Sequence, residues 1–214
     1  MIAIPMDQKT FSIFRDLVTS RRSVRKFAPR PVDPGIVKSV MEAVRFSPSP
    51  TNRQCFRFIA VQDPLILQSL KIDVIRKIDE ISETLEGESS QAFREYAKWF
   101  TFFEQAPLVV FGLFRTFVSR LPGGRKSERR LEGLAEIQAF GGAVHAMLLG
   151  LYAMGLGSCW MSGPLVTVTQ IEELLHIERP WQVGAVIPVG WPESSPPVPK
   201  KPGIDAFFGW FPAC

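Results

Sequence analysis

Apolar residues recur at helical spacing in the first twenty positions. Phe11, Phe14, Leu17 and Val18 make one stripe, and Asp7 stands where an N-cap belongs. The pattern returns after Asp33-Pro34, through Ile36, Val37, Val40, Met41 and Val44, and after Asp63-Pro64, through Leu65, Leu67, Leu70, Val74, Ile75 and Ile78. Asp followed by Pro supplies a capping oxygen and a residue suited to the first helical turn. The helix from Pro34 should end near Phe46, because Pro48 and Pro50 disfavour helix at the residues before them. Gly87-Glu88-Ser89-Ser90 reads as a break, and Phe93, Tyr96, Ala97, Phe100 and Phe103 then predict a helix rich in aromatics.

Leu134 to Met154 predicts a long helix. Ile137, Phe140, Val144, Met147, Leu148 and Leu151 put bulk on several faces, and Ala139, Gly142, Ala143, Ala146, Gly150 and Ala153 make a stripe of small residues. A helix apolar all round is buried all round, so contact with a second copy of the chain is expected here. His145 then reads as a buried, satisfied polar group. Gly155 is the expected C-cap. A further helix starts at Thr167 or Thr169 and runs through Ile171, Leu174 and Leu175. Strands are expected at Cys55–Val61, which alternates, at Pro107–Phe114, which is continuously apolar and so fully buried, at Gly157-Ser158, and at Val183–Gly190.

The tail from Trp191 to Cys214 is rich in proline and aromatics. It reads as an extended arm, and its Phe207, Phe208, Trp210 and Phe211 must bury somewhere, most simply on a partner subunit.

With 214 residues, 46% hydrophobic and 21% charged, the chain is expected to form a single domain over 1–214, with 191–214 as the arm. Its 25 cations are offset by 21 anions, too even a mixture for a nucleic-acid footprint. Cys55, Cys159 and Cys214 are odd in number and far apart, which argues against both a disulfide framework and a metal site and fits reduced thiols in the cytoplasm. His145 and His176 are too distant to suggest a metal pair. No signal peptide is expected, Met1–Pro5 being too short for one. Ile137–Thr169 has no formal charge and is long enough to cross a bilayer. Gly141, Gly142, Gly150, Gly155, Gly157, Gly163 and Pro164 interrupt it, so a buried helix, a turn and a strand are expected instead of a membrane span. Gly124-Arg125-Lys126-Ser127 lacks the earlier glycine of a phosphate-binding loop, which excludes a nucleoside triphosphatase.

Two stretches carry candidate chemistry. Arg21-Arg22-Ser23-Val24-Arg25-Lys26 offers planar guanidinium forks and a hydroxyl to a phosphate, although a solvated basic strip looks similar. Pro48-Ser49-Pro50-Thr51-Asn52-Arg53-Gln54 is crowded with neutral donors and acceptors. In an extended segment Asn52 and Gln54 would turn both amides one way, which suits a ring with imide-like edges; a plain polar turn is the other reading.

Taken in order, Arg-Arg-Ser-x-Arg, Pro-Ser-x-x-Asn-x-Gln, Gly155-Leu156-Gly157-Ser158 and a strand closing in Pro188-Val189-Gly190 resemble the FMN-dependent nitroreductase family. Cys55 stands where that family usually has proline. The resemblance covers nearly the whole chain. It implies an α/β (α+β) fold with a mainly antiparallel central sheet flanked by helices, in an intertwined homodimer with FMN at the subunit interface. It implies that Arg21, Arg22, Ser23, Arg25 and one of Lys200 and Lys201 hold the FMN phosphate. Pro48, Ser49, Asn52 and Gln54 would contact the isoalloxazine from the other subunit, and Gly157 and Ser158 would line the cofactor. Substrate selection would lie in the aromatic stretch Tyr96–Phe103. The implied reaction is ping-pong transfer from NADPH or NADH to a small acceptor such as a nitroaromatic or quinone. That accounts for the lack of an obvious catalytic acid, base or nucleophile. Family relatives with other flavin chemistry (dehalogenation, flavin fragmentation) and a non-catalytic flavin-binding protein are the alternatives.

Overall fold

The computed structural model describes residues 7–117 and 133–211. Helices α1 (Gln8–Ser20), α2 (Pro34–Val44) and α3 (Pro64–Glu83) each begin at the Asp expected to cap them. The Asp7 carboxylate accepts from Thr10 N–H at 2.7 Å, Asp33 from Gly35 N–H at 2.8 Å and Asp63 from Leu65 N–H at 2.9 Å. Then follow α4 (Gly87–Ala97), α5 (Leu134–Ala153) and the short α6 (Val168–Leu174). Strands β1 (Phe56–Val61), β2 (Leu108–Phe114), β3 (Gly157–Ser158) and β4 (Gln182–Gly190) form one antiparallel sheet in the order β1-β2-β4-β3.

β2 is buried along its length, as its continuous apolar run requires, because both faces of the sheet are covered. On one face Val109, Phe111 and Leu113 pack with α3, Phe100, Phe103 and Trp181. On the other, Leu108, Val110, Ala185 and Ile187 pack with α2 and α5. The β2–β4 register shifts at Gly112/Leu113, where Gly184 has no partner. A Cβ at Gly184 would lie 2.7–2.8 Å from the rings of Phe114 and Phe140, so the bulge is packed from glycine of necessity.

Two expectations need correction. The aromatic helix does not run through Phe103: Gly87 opens α4 instead of breaking it, and the helix ends at Ala97. Beyond it Phe100 and Phe103 turn inward to the core, which a continued exposed helix would forbid. α5 is not buried all round. Phe140, Val144, Met147 and Leu151 face the sheet and α2, but Ile137, Gly142 and His145 face outward, so His145 is exposed. The stripe on α1 is also uncovered: Phe11 is 62% exposed, Phe14 55%, and no residue of α1 is buried. α5 is apolar and long enough to cross a membrane by composition, but one face of it is packed on the sheet. Cys55 and Cys159 are buried free thiols; Cys214 and most of the polar loop after Arg115 lie outside the described residues.

Candidate functional site

The first and third motifs meet. The chain leaves α1 at Arg21 and runs beside β3, where Ser23 pairs with Ser158 in a parallel bridge and Val24 N–H donates to the Ser158 carbonyl at 3.0 Å. Gly157 makes the approach possible. A Cβ there would stand 2.7–2.9 Å from three carbons of Val24, so this packing requires glycine.

Cys159 follows at once and reports what surrounds it. Burial pushes its thiol up, while the charges of Arg25 and Arg21 and a hydrogen bond with Ser23 pull the other way. Arg21, Ser23 and Arg25 therefore converge on the start of the Cys159–Gly163 segment. The motif's arginines have different surroundings. The Arg22 guanidinium donates to the carbonyls of Thr19 and Arg21, both at 2.7 Å, and so closes the end of α1. The Arg25 guanidinium lies 5.6 Å from the centre of the Trp99 ring. Among the described residues, none of Arg21, Arg22 and Arg25 forms an ion pair with a carboxylate.

A cleft of about 430 Å³ opens beside them, with Arg25, Tyr96, Trp99, Phe102, Cys159 and Trp160 among its walls. Tyr96 and Trp99 are largely exposed at its rim. Cations with no carboxylate partner beside aromatic walls suit a flat ligand that carries a phosphate. The aromatic stretch Tyr96–Phe103 lines this cleft with Tyr96, Trp99 and Phe102. Cys159 and Trp160 were not singled out, although they continue the Gly157-Ser158 motif directly.

The second motif lies elsewhere. It precedes Phe56, which pairs with Phe114 at one end of the sheet. Ser158 pairs with Val189 beside Leu108, at the other end of β2. Six residue steps at strand rise put these ends about 20 Å apart. The loop itself is tightly built. Ser49 Oγ accepts from Gln54 N–H at 3.1 Å, and Asn52 Oδ1 accepts from Gln54 Nε2 at 2.6 Å. Thr51, Asn52 and Gln54 all have positive φ, at 48°, 56° and 50°, so the segment is curled and not extended. The two amides still act together, as one hydrogen-bonded pair, because the curl brings them into contact. Among the described residues the Asn52 NH₂ and the Gln54 carbonyl oxygen make no other hydrogen bond, a donor beside an acceptor. Pro48 is exposed next to them.

Lys200 and Lys201 are exposed on the arm, which is tied to the body at Phe27–Pro192 and by Glu193 N–H donating to the Lys26 carbonyl at 3.3 Å. Neither lysine makes an ion pair among the described residues. Within one chain, then, the fold unites Arg21, Ser23, Arg25, Gly157 and Ser158, and leaves Ser49, Asn52 and Gln54 apart.

Residues 18–191 match the model of the Nitroreductase family. The chain belongs to that family. It is 21% identical over 198 residues to a Bacillus subtilis (strain 168) protein provisionally named NAD(P)H nitroreductase YfhC, covering 90% of this chain and 91% of that one. Among solved structures, a BluB-like flavoprotein from Clostridium difficile 630 superposes with a TM-score of 0.84 at 22% identity, covering 92% and 98% of the two chains. Iodotyrosine deiodinase bound to FMN and 3-iodo-L-tyrosine superposes with a TM-score of 0.69 at 21% identity, covering 89% and 95%. At these identities the superpositions establish the shared fold.

Proposed function

We propose that this member of the nitroreductase family is an FMN-dependent oxidoreductase that works as a homodimer, taking electrons from NADPH or NADH and delivering them to a small acceptor such as a nitroaromatic or quinone. The observation that carries this reading is the convergence of Arg21, Ser23 and Arg25 on Ser158 and Cys159, free of carboxylate partners, at an aromatic cleft. FMN, when bound, supplies the redox chemistry by accepting a hydride from the nicotinamide and passing reducing equivalents to the acceptor in a separate half-reaction.

The chain's own residues bind and orient. Arg21 and Ser23 donate to the phosphate, joined by Lys200 or Lys201 once the arm is placed. Arg25, stacked toward Trp99, faces the cleft and meets the ring or the acceptor there. Tyr96, Trp99 and Phe102 select a flat acceptor by contact and keep water from its faces. Pro48, Ser49, Asn52 and Gln54 contribute from the second subunit, because their own chain holds them at the far end of the sheet. Three uncovered apolar features support the dimer: the Phe11–Phe14 stripe, the outer face of α5, and Phe207, Trp210 and Phe211 on the arm. The free Cys55 and Cys159 thiols are in keeping with a reducing cytoplasm.

The visible spectrum of the purified protein tests the reading. Flavin bands that bleach on anaerobic NADPH or NADH and return with a quinone are expected. A colourless protein that takes up no added FMN would overturn the proposal. Flavin absorbance lost for good on re-aeration, with a benzimidazole product, would replace oxidoreductase turnover by flavin fragmentation. Bleaching coupled to halide release from a halotyrosine would replace it by dehalogenation.

A further inference from the structure

The loop Ser49–Gln54, which the flavin reading gives to the second subunit, is wound against backbone preference. Thr51, Asn52 and Gln54 have φ of 48°, 56° and 50°. Residues with a side chain visit that region rarely and keep it only where their surroundings fix it. Bonds inside the loop supply part of the hold. Ser49 Oγ accepts from Gln54 N–H at 3.1 Å, the Ser49 carbonyl from Asn52 N–H at 2.9 Å, and the Pro50 carbonyl from Arg53 N–H at 3.1 Å. These bonds set the curl but not its place on the body of the protein.

Among the described residues one side chain reaches the loop from outside with a hydrogen bond. Arg115, the first residue after β2, donates from Nη2 to the Arg53 carbonyl at 3.3 Å. Its backbone N–H donates to the carbonyl of Cys55, directly after the loop, at 3.0 Å. The guanidinium is itself held, 4.9 Å from the centre of the Phe117 ring and 4.8 Å from that of the buried Trp181. Phe117 also meets the Arg53 guanidinium at 4.9 Å, so one ring serves the loop and the residue that holds it. A flat guanidinium against rings keeps its N–H fork in one direction, which a flexible ammonium does not.

The arrangement carries a cost. Arg115 Nε is buried with no acceptor, and a buried N–H without a partner destabilises a fold. Among the described residues Arg115 has no carboxylate partner to offset it. Fold stability alone does not account for an arginine here; its bond to the loop does.

We propose that Arg115 is a positioning residue: it fixes the Ser49–Gln54 loop on the end of β2 and so sets the place of the Asn52–Gln54 amide pair in the second subunit's flavin site. This rests on the FMN-dependent homodimer reading and adds to it a residue that acts through the loop.

The test combines hydrogen exchange of the full chain, read by mass spectrometry on peptides spanning 49–54, with the FMN dissociation constant. Arg115→Met keeps an apolar stem beside Phe117 and Trp181 and removes the bond. It should speed exchange in the loop about tenfold, leave peptides of α2, α3 and α5 at the parent's rate, and weaken FMN binding about tenfold, as loss of one hydrogen bond does. Arg115→Lys keeps a donor and the charge and should lose less of both. Added to Gln54→Ala, Arg115→Met should weaken FMN binding less than about twofold further, because both act on one loop; separate structural damage would multiply the two losses. Loop exchange unchanged in Arg115→Met, or faster exchange throughout the protein, would overturn the proposal. So would a loosened loop with FMN affinity equal to the parent's. A parent protein that takes up no FMN would sink the oxidoreductase reading, and loop exchange in Arg115→Met would still decide whether Arg115 holds the loop.

Discussion

Ser23 and Ser158 lie 135 positions apart in the chain and pair directly, in a parallel bridge sealed by the 3.0 Å hydrogen bond from Val24 N–H to the Ser158 carbonyl. This contact turns two short motifs into one site. It fixes where the basic run points, and it brings Arg21 and Arg25 to the side of Cys159.

The arginines of the basic run should separate by experiment. Arg21→Ala removes an unpaired guanidinium from the proposed phosphate site and should weaken FMN binding about tenfold to a hundredfold, the usual worth of a charge-assisted hydrogen bond. Arg22→Ala removes contacts to the Thr19 and Arg21 carbonyls and should lower the melting temperature with a smaller loss of flavin. Flavin content by absorbance and thermal melts of both variants check this. Equal flavin loss in the two would return Arg22 to the phosphate site.

Gly157→Ala forces a methyl group to within 3 Å of the Val24 side chain. Val24 is buried and has little room to retreat, so the variant should lose roughly 1–3 kcal/mol of stability, as overpacked cores do. Because the displaced segment carries Ser23, flavin affinity should fall with it. Adding Val24→Ala makes room for the methyl group and should recover part of the flavin binding, a rescue that simple loss of a ligand contact would not show.

The pH dependence of stability has a definite sign. Burial holds the thiols of Cys55 and Cys159 above their ordinary range near 9. Above that pH the unfolded chain releases thiol protons that the folded chain retains, so the thiols' contribution to stability is constant below it and falls as pH rises through it. Chemical denaturation at pH 7, 9 and 10 should show the fall, and a Cys55→Ala/Cys159→Ala variant should show less of it. The same burial predicts slow alkylation of both thiols at neutral pH until the chain is unfolded.

Much of this was legible in the residues because it is local. The Asp-Pro helix starts depend on two adjacent side chains, and the buried strand Leu108–Phe114 on one apolar run. What escaped depends on distant partners. The stripe on α1 has helical period, as expected, but period does not say what will cover it, and no residue of α1 is buried within one chain. The end of α4 at Ala97 is set by the burial of Phe100 and Phe103, which needs the core to exist first. Asn52 and Gln54 were legible as two neighbouring amides, but the curl of their loop, with Thr51 at φ 48°, comes from hydrogen bonds inside the loop and not from residue spacing.

The separation of that loop from Ser158 within one chain gives the most direct test of the assembly. In a homodimer whose site combines Arg21 of one subunit with Gln54 of the other, Arg21→Ala and Gln54→Ala homodimers each carry two damaged sites. After the two proteins are unfolded and refolded together, each mixed dimer has one site with both lesions and one with neither. Random pairing makes half of the dimers mixed, so about a quarter of all sites should regain full FMN affinity. If both residues served the same subunit's site, every site would still hold one lesion and none would recover. Flavin retained after dilution and gel filtration, compared with each variant refolded alone, distinguishes the two arrangements.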